Sequence, residues 1–440
     1  MTSIMQIAEI MRRIMTETAD KAGKETGFAK RESKMGGAEF TQTLALGWLS
    51  NPEATLEELA QTAATVGVRI SPQGLDQRFT QAGTACLKSV LDEAVKQLVQ
   101  GEITDLPILR RFSAVYIQDS TIIALPAELA EEWRGCGNGK GKGQAALKVE
   151  VRLDMLSGEM TGPILEAGRV SDVVSRIQSV SVPAGALRIA DLGYWSLGEM
   201  KQIAQAGGYW LTRLKSRVKI TTGDGKSWDI LDFLNALGDT QVDCAVSLSA
   251  QIPTPARLLA IRVPQAVAEQ RRRKLREEYE RRQIPLSKRT LALADWTIVV
   301  TNVPQQLLSL TEALTFLRIR WQIEMLFKLW KSHGRIDEWR SSKPWRILCE
   351  VYAKLLAMLI QHWIFLVSFW QFANRSLIKA SQTIRKHGLH LACAFYSQTT
   401  LETAIQIIKY CLEAGCRINK RETDLRCYQL FQNLQPEALA

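Results

Sequence analysis

Three carboxylates stand where they could do chemistry. Asp119 follows an apolar run at 113–118 and Asp191 follows another at 187–190. Glu324 lies within Leu317-Arg-Ile-Arg-Trp-Gln-Ile-Glu-Met-Leu-Phe-Lys-Leu-Trp-Lys331. An Asp closing an apolar run costs burial energy unless something compensates it. In a helix, positions 317, 320, 324, 328 and 331 share a face, so Arg320, Glu324, Lys328 and Lys331 point the same way. Phe316, Ile319, Ile323, Leu326, Phe327 and Trp330 then form the opposite, apolar side. Carboxylates so placed suit hard divalent cations. Mg²⁺ prefers oxygen ligands, and two such ions can serve an in-line displacement at phosphorus. Arg320 would bind a backbone phosphate with its bidentate fork and Lys331 as a mobile point charge. Taken singly, each residue has a plainer reading: the aspartates as turn or cap residues, and Glu324 as an i,i+4 partner of Arg320 worth about 0.3 kcal/mol.

The elements that must position these groups follow from periodicity. Residues 1–105 read as helical. Thr55 with Glu58 makes a capping box, and Ser71-Pro72 opens a second helix through Leu75 and Phe79 after the link Val66–Ile70. This is the outline of a DNA-reading helix-turn-helix and equally of any helical hairpin. From 111 the period becomes two: strands are expected at 113–118 (ending at Asp119), 145–155 and 160–167, with Ser157-Gly158 as the turn between the last two. A helix near 171–179, a strand at 187–190, a helix at 196–205 and a strand at 209–214 complete a mixed sheet with flanking helices. In 215–290 the rhythm breaks, with a turn at Gly223-Asp224-Gly225, strands at 241–248 and 257–263, and a charged helix at 265–282. Over 257–289 there are 11 basic and 4 acidic residues, a balance of +7, which fits either a solvated helix face or a phosphate-tracking surface. A strand resumes at Trp296–Val300, and Ser309 with Glu312 caps a long helix expected to run to about Gly334.

Composition narrows the partners. The 440 residues carry 56 Lys and Arg against 45 Asp and Glu, a net +11, which suggests a polyanionic partner. Eight cysteines without a CxxC pair, and an N-terminus without a basic stretch leading into an apolar one, favour a reducing cytoplasm and give no secretion signal. Four histidines make a His-rich zinc site improbable. The apolar stretch 351–372 is interrupted by Lys354, Gln361 and His362 and reads as a buried helix with no membrane role. Gly135-Cys-Gly-Asn-Gly-Lys-Gly-Lys-Gly143 lacks phosphate-loop spacing, which argues against nucleotide hydrolysis. It reads as a hairpin loop, or as a DNA contact through Lys140 and Lys142 with Lys148 nearby.

With these residues in view, the sequence resembles the DDE transposases of the IS4 family, the RNase H-like enzymes of bacterial insertion sequences that include the Tn5 transposase. Ile117-Gln-Asp-Ser-Thr121 matches the first motif and Ile189-Ala-Asp-Leu-Gly-Tyr194 the second. In the family's helical signature, Tyr, two residues, Arg, three, Glu, six, Lys, the positions of Arg320, Glu324 and Lys331 agree, but Leu317 stands in place of the tyrosine. Leu cannot hydrogen-bond a phosphate, so that DNA-end contact is lost or supplied elsewhere; no metal ligand is removed. The resemblance covers about 110–345 and implies Asp119, Asp191 and Glu324 as catalytic metal ligands for two Mg²⁺, with Mn²⁺ able to substitute. It further implies a homodimer that pairs terminal inverted repeats of double-stranded DNA, cuts through a hairpin intermediate and joins the ends to target DNA. At the family's usual tryptophan position, Trp296 would stack a flipped base; the alternative is a core tryptophan opening a strand.

The expected fold class is therefore α/β: an RNase H-like mixed sheet with flanking helices, a β-rich insertion, and helical N- and C-terminal regions. The expected organisation is a helical DNA-binding domain at 1–105, a catalytic core at 106–214 and 291–345 split by a basic β-rich insertion at 215–290, and a helical region at 346–440 that could dimerise. Two other functions stay in contention: a catalytically inactive, transposase-derived DNA-binding protein, and a related metal-dependent nuclease without strand transfer.

Overall fold

Val115-Tyr-Ile-Gln-Asp-Ser-Thr-Ile-Ile-Ala-Leu125, rich in β-branched side chains, forms β1 in the computed structural model, which describes residues 1–30, 34–136, 144–249, 251–396, 400–423 and 425–434. The chain divides into two compact units. One comprises Met1–Pro107, Asp119–Val170 and Gln322–Gln429; the other comprises Ile108–Gln118, Ser171–Trp321 and Leu430–Ala440. The β1 strand runs from the second into the first.

In the first unit, β2 (Ala145–Asp154) and β3 (Met160–Ala167) form an antiparallel hairpin closed at Ser157-Gly158, as expected, and β2 lies between β3 and β1. Every residue of β2 but one is buried, including Lys148, Glu150, Arg152 and Asp154, so this strand is covered on both faces. The N-terminal helices Gly37–Ser50, Leu56–Thr65 and Gln81–Val95 and the long helix Pro344–Phe369 belong to the same unit. Thr55 and Glu58 make the expected capping box. The second helix of the hairpin, however, is only Pro72–Asp76 and stops before Phe79. Thr80 then caps a new helix through the N–H of Gly83, and the two helix starts compete for the intervening residues. The apolar stretch expected to be a buried helix is one: Pro344–Phe369 is long and apolar enough to cross a membrane but is almost wholly covered by protein.

In the second unit the strand order is β1-β4-β5-β10-β9-β8-β6-β7. Strands β1, β4 (Leu187–Ala190) and β5 (Tyr209–Arg213) are parallel, and the remainder, β6 (Ile220–Thr221), β7 (Ser227–Trp228), β8 (Gln241–Leu248), β9 (Thr254–Arg262) and β10 (Trp296–Thr301), joins antiparallel. Parallel neighbours need crossovers, and helix Leu197–Gln205 supplies the one between β4 and β5. The core of this unit gathers Trp195, Trp210, Phe233, Leu258, Trp296 and Val300.

The insertion differs from its expected β-rich character. Helices Ile230–Leu237, Gln265–Arg281 and Lys288–Leu293 together exceed its strands in extent. The first was hidden because its eight residues lie between turn signals, and Gly238, with φ of +69°, ends it as only glycine does readily. The helix expected near 171–179 is instead two 3₁₀ turns, Asp172–Val174 and Arg176–Ser179, separated by an extended Ser175.

Candidate active site

Strand β1 does not end at Asp119. It continues to Leu125, because Ser120-Thr-Ile-Ile123 is itself a good strand sequence, and Asp119 sits mid-strand with its Oδ1 accepting from the Ser120 N–H at 2.8 Å. Gln118 pairs with Ala190 across the parallel β1–β4 ladder. Asp119 and Asp191 are each the next residue along. Asp191 lies just past β4, at the start of the 3₁₀ turn Leu192–Tyr194, and its carbonyl accepts from the Tyr194 N–H at 3.0 Å.

The long helix that carries the remaining groups is broken. One helix, Leu310–Ile319, ends at Arg320, and another, Trp321–Ser332, follows directly. Ser309 and Glu312 form the expected capping box. Glu312 is buried and takes an ion pair from Arg111 at 2.9 Å, while Arg111 also donates to the Leu307 carbonyl, so the start of the first helix is tied to the stretch before β1. Arg320 at the break places its Nε 4.0 Å from Asp191 Oδ1, with side-chain exposures of 20% and 46%. Glu324 lies in the first turn of the second helix, on the side away from buried Ile323, Leu326, Phe327 and Trp330, and the expected apolar side is buried throughout.

Lys328 is exposed. Lys331 is engaged: its Nζ donates to the Ile122 carbonyl at 2.8 Å and lies 3.6 Å from Asp337. Lys148 cannot serve as a loop contact, because it is buried, donates to the Val170 carbonyl and pairs with Glu150 at 3.4 Å. Lys140 and Lys142 lie outside the described residues. Trp296 opens β10 with 9% exposure inside the apolar core, which is the core-tryptophan alternative. The exposed aromatic ring beside Arg320 is Trp321, at 58%. In the sequence, a tryptophan among apolar helical residues reads as core.

As donors, Asp119, Asp191 and Glu324 offer the hard oxygens that Mg²⁺ needs. Among the described residues no group of three or more His, Cys, Asp or Glu side chains is gathered closely enough to hold a metal ion. The donor chemistry thus fits such an ion, while a ready-made three-residue cluster is absent among those residues.

The Gln265–Arg281 helix of the insertion is anchored by two of its arginines. Arg271 donates to the Trp296 carbonyl and Thr297 hydroxyl, and Arg272 pairs with Asp295. Arg273, Lys274, Arg276 and Arg281 remain exposed on the outside.

Asp119 lies within β1, Asp191 just past the parallel strand β4, and Arg320 and Glu324 at the junction of two helices; comparison with known proteins gives the class of the protein. The model of the transposase DDE domain matches residues 110–360, and the chain belongs to that family. Similar proteins include the transposase for insertion sequence element IS231D of Bacillus thuringiensis subsp. finitimus, 29% identical over 394 residues that cover 84% of this chain and 80% of that protein. The transposase for IS1151 of Clostridium perfringens is 22% identical (78% and 76% covered), and that for IS421 of Escherichia coli is 26% identical (68% and 83% covered).

Proposed function

We propose that the protein is an insertion-sequence transposase that cuts and joins DNA ends, with Asp119, Asp191 and Glu324 as the carboxylates of its divalent-cation site. The observation that carries this reading is the family match over 110–360, which spans all three residues. The order β3-β2-β1 in one unit and β1-β4-β5 in the other, with β1, β4 and β5 parallel, supports an RNase H-like core.

Two Mg²⁺ ions, or Mn²⁺ in their place, would supply activation of the attacking oxygen and stabilisation of the leaving oxygen. The chain's own residues do the rest. Asp119, Asp191 and Glu324 present oxygen donors, and Arg320 takes a phosphate beside them with its fork. Lys328 adds a point charge, and Lys331 joins it on exchanging the Ile122 carbonyl for a phosphate oxygen. Trp321 is the ring we assign to stacking an unpaired base, since Trp296 lies in the core. The reaction then runs as in Tn5-like enzymes: hydrolysis nicks one strand, and the freed 3′-hydroxyl attacks a phosphodiester of the opposite strand, closing a hairpin and releasing the flanking DNA with its own 3′-hydroxyl. A second hydrolysis opens it, and the 3′-hydroxyl joins target DNA. Two subunits pair the two element ends in a bacterial cytoplasm.

The test is a labelled duplex carrying the element's inverted repeat and flank, incubated with full-length protein and Mg²⁺ or EDTA and resolved on a denaturing gel. Metal-dependent nicks and a slow hairpin species are expected. Asp119→Ala, Asp191→Ala and Glu324→Ala should each abolish them while sparing most DNA binding, and undiminished cutting by one of these variants removes that residue from the site. Binding without cleavage points to the inactive DNA-binding reading, and cleavage without end-joining to the nuclease.

A further inference from the structure

The two chain segments that carry Asp119 and Asp191 are tied together from behind by one buried side chain. Gln178 lies in the 3₁₀ turn Arg176–Ser179. Its Oε1 accepts from Gln118 Nε2 at 3.1 Å and from Arg188 Nη1 at 2.8 Å, and its Nε2 donates to the Tyr194 carbonyl at 3.2 Å. Gln118 immediately precedes Asp119. Arg188 lies three residues before Asp191 and Tyr194 three residues after it. The side chains of Gln118, Gln178 and Arg188 are all buried. The orientation of the Gln178 amide is forced, because a guanidinium only donates and a backbone carbonyl only accepts.

Tyr116 pairs with Arg188 and Gln118 with Ala190, so Gln118 and Arg188 share one face of the sheet, and strand alternation directs Asp119 to the other. The hub therefore acts through the backbone. Arg188 has little else to hold it. Glu199 lies at 3.5 Å, and the Arg188 Nε has no hydrogen-bond partner among the described residues. Arg188 and Trp210, whose indole N–H likewise has no partner among them, line a small cavity together with Asp191 and Tyr194. An unsupported buried guanidinium beside a cavity would shift the strand it stands on, and that strand leads into Asp191.

We infer that Gln178 is a positioning residue: it fixes the Arg188–Tyr194 segment against Gln118 and so sets where the backbone presents Asp191 to divalent cations. This rests on the reading of that aspartate as a cation-binding group. Misplacement of a reacting group by about 1 Å costs on the order of 100-fold in rate.

The experiment compares full-length wild-type protein with Gln178→Met, which loses all three hydrogen bonds, and Gln178→Glu, which keeps the acceptor for Gln118 and Arg188. Strand cleavage is measured against Mg²⁺ concentration, and the melting temperature is measured in EDTA and across a Mn²⁺ titration. For Gln178→Met we expect cleavage reduced about 10- to 100-fold, a higher Mg²⁺ midpoint and a smaller Mn²⁺-induced rise in melting temperature, with inverted-repeat binding unchanged. Gln178→Glu should fall between it and wild type. A purely structural role would lower the melting temperature in EDTA and leave the metal midpoints alone. Metal midpoints of Gln178→Met that match wild type overturn the inference, and if that variant does not fold, a matching midpoint in Gln178→Glu does so. Wild-type protein that neither cleaves nor responds to Mn²⁺ instead overturns the reading of the aspartates, and the positioning role falls with it.

Discussion

Arg320 holds its Nε 4.0 Å from the Oδ1 of Asp191, at the point where one helix ends and the helix bearing Glu324 begins. The separation is too long for a hydrogen bond and the carboxylate is half-exposed. The pair therefore adds little to stability; what it does is keep a cation, proposed to bind phosphate, beside a carboxylate proposed to bind metal. Arg320→Ala should change the unfolding free energy by less than about 1 kcal/mol in urea titrations yet sharply reduce strand cleavage. Arg320→Lys should fold normally and fail to restore full cleavage, since an ammonium offers no bidentate fork. A large loss of stability in Arg320→Ala would mean that the contact is structural.

The basic helix of the insertion separates anchoring from binding residues. Lys274 and Arg276 are exposed, whereas Arg271 and Arg272 tie the helix to Thr297 and Asp295. Alanine at Lys274 or Arg276 should weaken DNA binding about equally for all sequences and lower the slope of log affinity against log salt by about one, read by fluorescence anisotropy. Alanine at Arg271 should lower the melting temperature instead. An unchanged salt slope would make the outer face of this helix merely solvated.

His362 gives the fold an acid limit. Burial pushes its imidazole down to about 4 against an ordinary value near 6.5, opposed by its hydrogen bond with the Gly158 carbonyl at 2.8 Å. The folded state therefore refuses a proton that the unfolded chain accepts between these values. Stability from this group is complete above about pH 6.5 and is lost as pH falls toward 4, amounting to about 2 kcal/mol between pH 7.5 and pH 5. Burial lowers His387 as well. Comparing urea denaturation of wild type and His362→Gln at both pH values isolates His362, and the variant should show a smaller acid loss.

Lys354 is a buried cation in the long apolar helix. Its Nζ reaches Glu350 at 2.7 Å and the carbonyls of Arg335 and Glu338 at 3.0 and 2.8 Å. Desolvation holds its ammonium below the usual lysine range, although Glu350 opposes this. Lys354→Met alone should destabilise by about 3–5 kcal/mol because Glu350 is left buried without its cation. Lys354→Met with Glu350→Leu should recover much of that loss in chemical denaturation, and a single variant as stable as wild type would refute the pairing.

Much of the framework was legible in local sequence. The capping boxes at Thr55 and Ser309, the hairpin turn at Ser157-Gly158, and the strands at 187–190 and 241–248 all form where their residues indicate. Each depends on neighbours within about four residues, so a short window contains its cause. The break at Arg320 gave no signal because neither proline nor glycine marks it.

The sequence by itself determined the carboxylates, their motifs, the basic balance and the family they point to, because these are properties of residue type and spacing. Only the tertiary structure decided which charged and aromatic groups face water. Lys148 and Trp296 are buried, Lys331 is held by the Ile122 carbonyl, Trp321 is exposed, and Gln178 bonds Gln118, sixty residues away in sequence. Burial and long-range hydrogen bonds are set by partners distant along the chain, and periodicity shows which face of an element is apolar without showing what covers the other.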